Sequence, residues 1–275
     1  MFIYEAQKLL REKKITPSIL LKESIDKIEE WKRLGAFITT NIDQVLELAA
    51  KQDKILELEY DKLPTLFGIP LALKDNIYTK NLQTTAGSLF WKDFVPTQDA
   101  QVVTKLKNSG ALLVGKTNMH EIALGVTSNN PHYGPCLNPH DNSRVAGGSS
   151  GGSAIAVATG MALGALGTDT GGSIRIPASL CGVVGFKSSY GTVSTRGIIP
   201  LSWHLDHVGP IETCVEDVKI IFNIIAGYDS KDPFSVKNSN KKSKSIEKNQ
   251  IRIAKAVGNF IDEADADVLK TFDDA

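Results

Sequence analysis

Glycine-flanked serines recur in one stretch of the chain, as Gly147-Gly148-Ser149-Ser150-Gly151-Gly152-Ser153 and Gly167-Thr168-Asp169-Thr170-Gly171-Gly172-Ser173. Glycine beside serine lets the backbone approach a reacting atom and bares its N–H groups. Stabilising an oxyanion requires such groups, so the chemistry suggested is acyl transfer to a hydroxyl. A Gly/Ser run alone reads as a flexible linker, but residues 154–166 between these turns are small and apolar, the composition of a core. A serine hydroxyl is a weak nucleophile until a base takes its proton. A neutral lysine can serve, and burial lowers the lysine pKa. Lys74 is the candidate, because it follows the apolar run 68–73 and so emerges from a sheet core.

Three other chemistries compete. Residues 110–117, Gly-Ala-Leu-Leu-Val-Gly-Lys-Thr, match the phosphate-binding pattern G-x-x-x-x-G-K-[ST]. That pattern works through a loop whose N–H groups turn toward phosphate, whereas Ala-Leu-Leu-Val has the composition of a buried strand, so nucleotide binding is not expected. His204, Asp206 and His207 are close in sequence, but a metal hydrolase needs three protein ligands and an open position, and no H-E-x-x-H or Cys/His cluster is present. A Ser-His-Asp triad can scatter along a chain; Gly147-Gly148-Ser149-Ser150-Gly151 fits the letters G-x-S-x-G, but these serines lie in G-G-S turns and not in the strand-to-helix elbow that pattern needs.

The elements that must position these groups are legible. Thr16-Pro17 starts a helix, with a capping hydroxyl and proline in the first turn. Ile19, Leu20, Leu21, Ile25, Ile28 and Trp31 carry its apolar stripe, and Gly35 ends it. A short strand at 37–39 precedes an amphipathic helix over 42–56. Strands are expected at 68–73, 111–114, 162–167, 182–187, 207–211 and 251–256. Helices are expected from an Asp99 cap through Leu106, over 119–124, over 215–226 and from Asp265 onward. Ser150 and Ser153 are expected to start the helix after the first serine turn. This alternation predicts an α/β sheet with helices on both faces. Residues 235–250 read as a polar basic loop, with Lys237, Lys241, Lys242, Lys244 and Lys248 among Asn and Ser.

Composition narrows the setting. The 275 residues are 42% hydrophobic and 23% charged, and 31 basic residues balance 31 acidic ones. Nothing global steers the chain toward nucleic acid or an anionic membrane. Cys136, Cys181 and Cys214 are too sparse for a disulfide framework and suit a reducing cytosol, so a cytoplasmic location is expected. No signal peptide is expected at the N-terminus, and the weakly polar run 153–167 is too short for a membrane span.

Lys74 after its apolar strand, the two serine turns and the continuation Ser173-Ile-Arg-Ile-Pro177 together resemble the amidase signature family. The resemblance runs over residues 66–233 and includes Val114-Gly-Lys-Thr-Asn-Met119, Cys181-Gly-Val-Val-Gly-Phe-Lys187 and Asp206-His-Val-Gly-Pro210. It implies a mixed β-sheet core flanked by helices on both faces. Residues 1–62 would form an N-terminal helical layer, 63–234 the catalytic core, 235–250 the basic loop and 251–275 the start of a C-terminal half. The remainder of that domain would be missing. It also implies a Ser–cis-Ser–Lys triad. Ser173 matches the nucleophile, Ser149 the bridging serine whose peptide bond is cis, and Lys74 the general base. Thr170, Gly171, Gly172 and Ser173 match the backbone oxyanion hole. No metal and no cofactor is implied. Arg175 could shape the site or brace the turn.

Two branches of the family remain open. One contains free-standing amidases acting on small-molecule amides; residues 197–206 and Met119-His120-Glu121 resemble it. The other is the glutaminase (A) component of the amidotransferase acting on Glu-tRNA(Gln) or Asp-tRNA(Asn), which works with partner subunits and leaves direct tRNA contact largely to them. A homodimer is open in either case. A third reading is an inactive or split-enzyme fragment acting through a partner.

Overall fold

Alternate side chains of a strand face opposite ways, and the central strands use this to build two cores at once. The computed structural model describes residues 1–58, 63–237, 251, 252, 254 and 257–274. The chain divides into two units, Met1–Asn238 and Ser239–Ala275. In order, the first unit holds α1 (Ile3–Arg11), α2 (Pro17–Glu30), β1 (Phe37–Thr40), α3 (Ile42–Leu58), β2 (Pro70–Lys74), α4 (Gln101–Asn108) and β3 (Leu112–Thr117). It continues with the short strands β4 (Asn129–Asn130) and β5 (Gly134–Pro135), then α5 (Gly151–Ala158), β6 (Gly164–Asp169), α6 (Arg175–Cys181), β7 (Val184–Gly185), β8 (His207–Glu212) and α7 (Val215–Ile225). The second unit holds α8 (Asn259–Asp262) and α9 (Ala266–Asp274).

The main sheet runs β1-β3-β2-β6-β8-β7. Strands β3, β2 and β6 are parallel, while β1 and β8 join this centre antiparallel. Leu71, Leu73, Leu113, Leu166 and Val208 pack on one face with residues of α1, α4 and α7, including Ile3, Leu10, Val103, Leu106 and Ile221. Ala72, Leu112, Val114, Ala165 and Ile211 pack on the other with Leu21, Ile28, Val45, Ala49 and Ile155 from α2, α3 and α5. The mixed sheet with helices on both faces is the architecture the sequence implies.

Parallel strands end together. Lys74, Thr117 and Asp169 therefore emerge at one edge of the sheet, and the antiparallel β8 brings His207 opposite Asp169. Crevices beyond the carboxyl ends of parallel strands are where open α/β sheets place their ligands.

Local signals behave as expected at α2, where Thr16 Oγ1 accepts from the Ile19 N–H and Pro17 opens the first turn. Others do not. Asp99 is not the cap of α4; Ala100 occupies that position, and the Asp99 carboxylate instead accepts from the Lys80 N–H and pairs with Lys107. Residues 119–124 form a single 3-10 turn, Glu121–Ala123, because Ile122 and Ala123 have φ of 46° and 61° and cannot continue a helix. The strand expected at 182–187 pairs only at Val184–Gly185. Of the strand expected at 251–256, Ile251, Arg252 and Ala254 have no strand pairing, and the rest lies outside the described residues. Most of the basic loop, 238–250, is outside them too; Lys237 is described, with Nζ 5.0 Å from the Tyr228 ring centroid. Among the described residues, no helix is long and apolar enough to cross a membrane.

Candidate active site

The end of β2 carries Lys74 into full burial. Its Nζ lies 2.8 Å from Ser149 Oγ, 2.8 Å from Thr168 Oγ1 and 3.3 Å from the Thr168 carbonyl oxygen. Burial pushes the Lys74 ammonium down to about 7, against the pull of the Asp169 and Asp206 carboxylates, which raise it. Near neutral pH much of this amine is uncharged and can accept a proton.

Ser149 is placed by the turn into α5. The Gly148–Ser149 peptide bond is cis. The Ser149 carbonyl accepts from the His120 N–H at 3.2 Å, and the next N–H, of Ser150, donates to the Ser173 carbonyl at 3.1 Å. The two serine turns are thus tied together through the main chain. Gly152 makes the close approach feasible: a Cβ there would stand 2.3 Å from the Ala36 carbonyl oxygen and 2.5 Å from that of Asn118. Ser150 and Ser153 do sit at the start of α5, but they stitch it to the sheet rather than cap it. Ser150 Oγ bonds the Thr168 backbone, and Ser153 Oγ bonds Thr117 Oγ1 and the Leu166 carbonyl.

The second turn, Thr170 to Ser173, wraps a carboxylate. Asp169 Oδ1 accepts from the Gly172 N–H at 2.8 Å, and Oδ2 accepts from the Ile174 N–H at 3.1 Å. Arg175 closes the ring with Nη2 and Nε each 3.0 Å from Asp169. Burial by itself would raise the Asp169 carboxyl, but the bonds from Arg175 and from the Ile174 and Gly172 N–H groups hold it below the usual range. Thr170 Oγ1 donates to Asp206 Oδ1 at 2.6 Å, and Asp206 also accepts from the Leu201 and Ser202 N–H groups. Arg175 therefore braces the turn. The Gly172 N–H is taken up by Asp169, which narrows the implied oxyanion donors to the N–H groups of Thr170, Gly171 and Ser173.

Sequence reasoning gives no positioning role to Asp169, Asp206, Thr168 or Asn76. The only signal was location: Asp169 ends an apolar strand, where a lone carboxylate needs partners. Replacing it by Asn puts an NH2 group among donors. We expect Asp169→Asn to lose about 2 kcal/mol of stability, as when buried N–H groups lose a charged acceptor, read as a lower melting temperature. The acid limb of the stability profile should change as well. In wild type the depressed Asp169 pKa contributes stability above the ordinary carboxylate range, lost as pH falls through the folded pKa; the variant should lack that loss.

The competing motifs find other work. Lys116 of the phosphate-binding look-alike is buried in β3, donating to the Ile77 carbonyl and Thr84 Oγ1 and pairing with Asp75 at 3.3 Å. His204 packs edge-on against Phe234, and His207 Nδ1 lies 2.7 Å from the Leu205 carbonyl. Among the described residues, no group of three or more His, Cys, Asp or Glu could hold a metal ion. A cleft bounded by Gln44, Leu48, Lys80 and Leu82 contains none of the groups around Lys74.

Known proteins share this arrangement of sequence and fold. A family model described as Amidase matches residues 20–275. The A component of glutamyl-tRNA(Gln) amidotransferase from Sulfurihydrogenibium sp. (strain YO3AOP1) is 45% identical over 232 residues, covering 84% of this chain and 48% of the relative. The solved structure of the same-named protein from Thermotoga maritima superposes with a TM-score of 0.74 at 40% identity, covering 86% of this chain and 49% of that one. Native peptide amidase from Stenotrophomonas maltophilia superposes with a TM-score of 0.81 at 37% identity, covering 86% and 50%. The chain spans about half the length of the curated relatives it matches.

Proposed function

We propose that this chain, which belongs to the amidase family, carries the acyl-transfer centre of an amide hydrolase, with Ser173 as nucleophile, Ser149 as relay and Lys74 as base. The observation that carries the reading is the fully buried Lys74 amine, held near pKa 7 and 2.8 Å from Ser149 Oγ. Neutral Lys74 takes the Ser149 proton as Ser149 takes that of Ser173. Ser173 Oγ bonds the amide carbon, and the backbone N–H groups of Thr170, Gly171 and Ser173 receive the oxyanion. Each such donor is worth roughly 3 kcal/mol in the transition state. The proton returns through Ser149 to the amide nitrogen, the C–N bond breaks, and ammonia or an amine leaves. Water then gives a proton to the relay and attacks the Ser173 ester, releasing the acid and restoring Ser173.

Which amide is cut divides two readings. The first curated relatives all carry the name of the A component of glutamyl-tRNA(Gln) amidotransferase. That supports glutamine as the amide and partner subunits as the destination of the ammonia. Residues 197–206 and Met119-His120-Glu121 point to the free-standing branch. Glu121, however, accepts from Ser88 Oγ and faces His132 Nε2 at 3.0 Å, so it holds its loop together. Relatives outweigh that local likeness, and we favour the glutaminase reading over the free-standing amidase.

Hydroxylamine tests both. An acyl-enzyme partitions to a hydroxamate as ammonia is released. The full chain is incubated with hydroxylamine and either glutamine or a simple aliphatic amide, with and without purified amidotransferase partner subunits. Hydroxamate from glutamine, increased by the partners, is the expected result. Hydroxamate from the aliphatic amide alone would select the free-standing branch. No hydroxamate in any arm from a folded chain would select the inactive or split-fragment reading.

A further inference from the structure

We propose that Thr168 is the residue that aims the Lys74 lone pair at Ser149, through a hydrogen-bond relay running from the Ile199 carbonyl to Asn76 to Thr168 to Lys74. The inference rests on the reading of Lys74 as base. It follows from the balance of donors and acceptors. A neutral amine has two N–H groups and one lone pair. Lys74 Nζ has three oxygen neighbours: Ser149 Oγ, Thr168 Oγ1 and the Thr168 carbonyl. The carbonyl can only accept, so one N–H points there. If Thr168 Oγ1 also accepts, both N–H groups are used and the lone pair is left for the Ser149 hydroxyl. If Thr168 instead donated, it would occupy that lone pair, and Lys74 could not take a proton from Ser149.

Asn76 fixes how one side of Thr168 Oγ1 is engaged. Its Nδ2 donates to Thr168 Oγ1 at 3.1 Å and to the Ile199 carbonyl at 3.3 Å. The carbonyl fixes the amide orientation, since the flipped amide would set two oxygens against each other. Thr168 Oγ1 then accepts from Asn76 on one side and meets Lys74 on the other, 2.8 Å away. The Asn76 donation takes one Thr168 lone pair; with the second accepting from Lys74, as the proposal holds, both are filled and the hydroxyl proton turns away from Lys74. Thr168 and Asn76 are 3% and 2% exposed, so water does not compete for these bonds. Asn76 Oδ1 is buried with no hydrogen-bond partner, a cost the amide bears while its Nδ2 end serves this chain.

The test compares wild type with Thr168→Val, which keeps the shape and removes the oxygen, and Thr168→Ser, which keeps the oxygen. Two readouts are taken at matched folding by thermal melt: the rate of Ser173 labelling by a fluorophosphonate across pH, and the Lys74 Nζ titration by NMR. An oxygen accepting from the ammonium favours the charged form, so Thr168→Val should lower the Lys74 midpoint by about one pH unit. Labelling should nonetheless fall by about 30-fold or more on the alkaline plateau, within the range of general-base effects, and Thr168→Ser should recover most of it. A more deprotonated yet less effective lysine is an outcome that loss of packing alone does not produce. An unchanged Lys74 midpoint in Thr168→Val overturns the proposal, as does a plateau rate equal to wild type. A folded wild type that does not label would overturn Ser173 as nucleophile, and the titration would still decide the Thr168 coupling on its own.

Discussion

Ser173→Ala should abolish covalent labelling by a fluorophosphonate and lower amide turnover by about 10⁵-fold or more, the scale seen when the nucleophile of a concerted triad is removed. The size follows from the mechanism. Without Ser173 Oγ no ester forms, and the remaining groups can only assist direct attack by water. The fold should tolerate the change. Ser173 is held through its carbonyl, which accepts from the Ser150 N–H, and its turn is held by Asp169, Arg175 and Asp206. None of those ties uses the Ser173 hydroxyl. A melting temperature within a few degrees of wild type is therefore expected alongside complete loss of labelling. Ser150→Ala is the control, because Ser150 Oγ bonds the Thr168 backbone; it should keep labelling at some stability cost. Labelling that persists in Ser173→Ala would place the nucleophile elsewhere and sink the assignment.

Lys74→Met should lower the labelling rate by about 10³-fold, as for loss of a general base, and should remove a pH dependence that wild type shows. With the Lys74 midpoint at about 7, wild-type labelling should rise through neutrality and level off above about pH 8, one unit past that midpoint. A profile flat across the neutral range would exclude Lys74 as the base. Stability should move in a linked way. A lysine whose folded pKa lies below its unfolded value of 10.5 weakens the fold wherever the unfolded chain holds the extra proton. That penalty is full below about pH 7 and fades as pH rises toward the unfolded value. Wild type should gain about 2 kcal/mol relative to Lys74→Met between about pH 7 and about pH 9, each pH unit in that window being worth up to about 1.4 kcal/mol. Urea midpoints at the two pH values measure it. Parallel behaviour of the two proteins would mean that Lys74 is not desolvated.

Much of the sheet was legible because its strands are short apolar runs bounded by turn residues. The runs at 68–73, 111–114, 162–167 and 207–211 became β2, β3, β6 and β8 with shifts of a few residues. Failures came where a tertiary partner overrode a local rule. Asp99 has the right chemistry for a cap, but Lys80 and Lys107 claim its oxygens. Residues 119–124 have a helical composition, yet the His120 N–H is drawn to the Ser149 carbonyl and the chain turns left-handed at Ile122 and Ala123.

The site divides in the same way. The sequence by itself determined that two serines lie in glycine turns and that a lysine ends an apolar strand, because glycine spacing and strand burial are local properties. Only the tertiary structure decided that Lys74 meets Ser149, 75 residues away, and Thr168, 94 residues away. It also decided that Arg175 braces the turn by pairing with Asp169, and that Gly172 gives its N–H to Asp169. The reason is physical. A lysine becomes a base through lost solvent and through the orientation of its lone pair. Both are set by strands and turns packed around it from distant parts of the chain, and no spacing rule along the sequence encodes them.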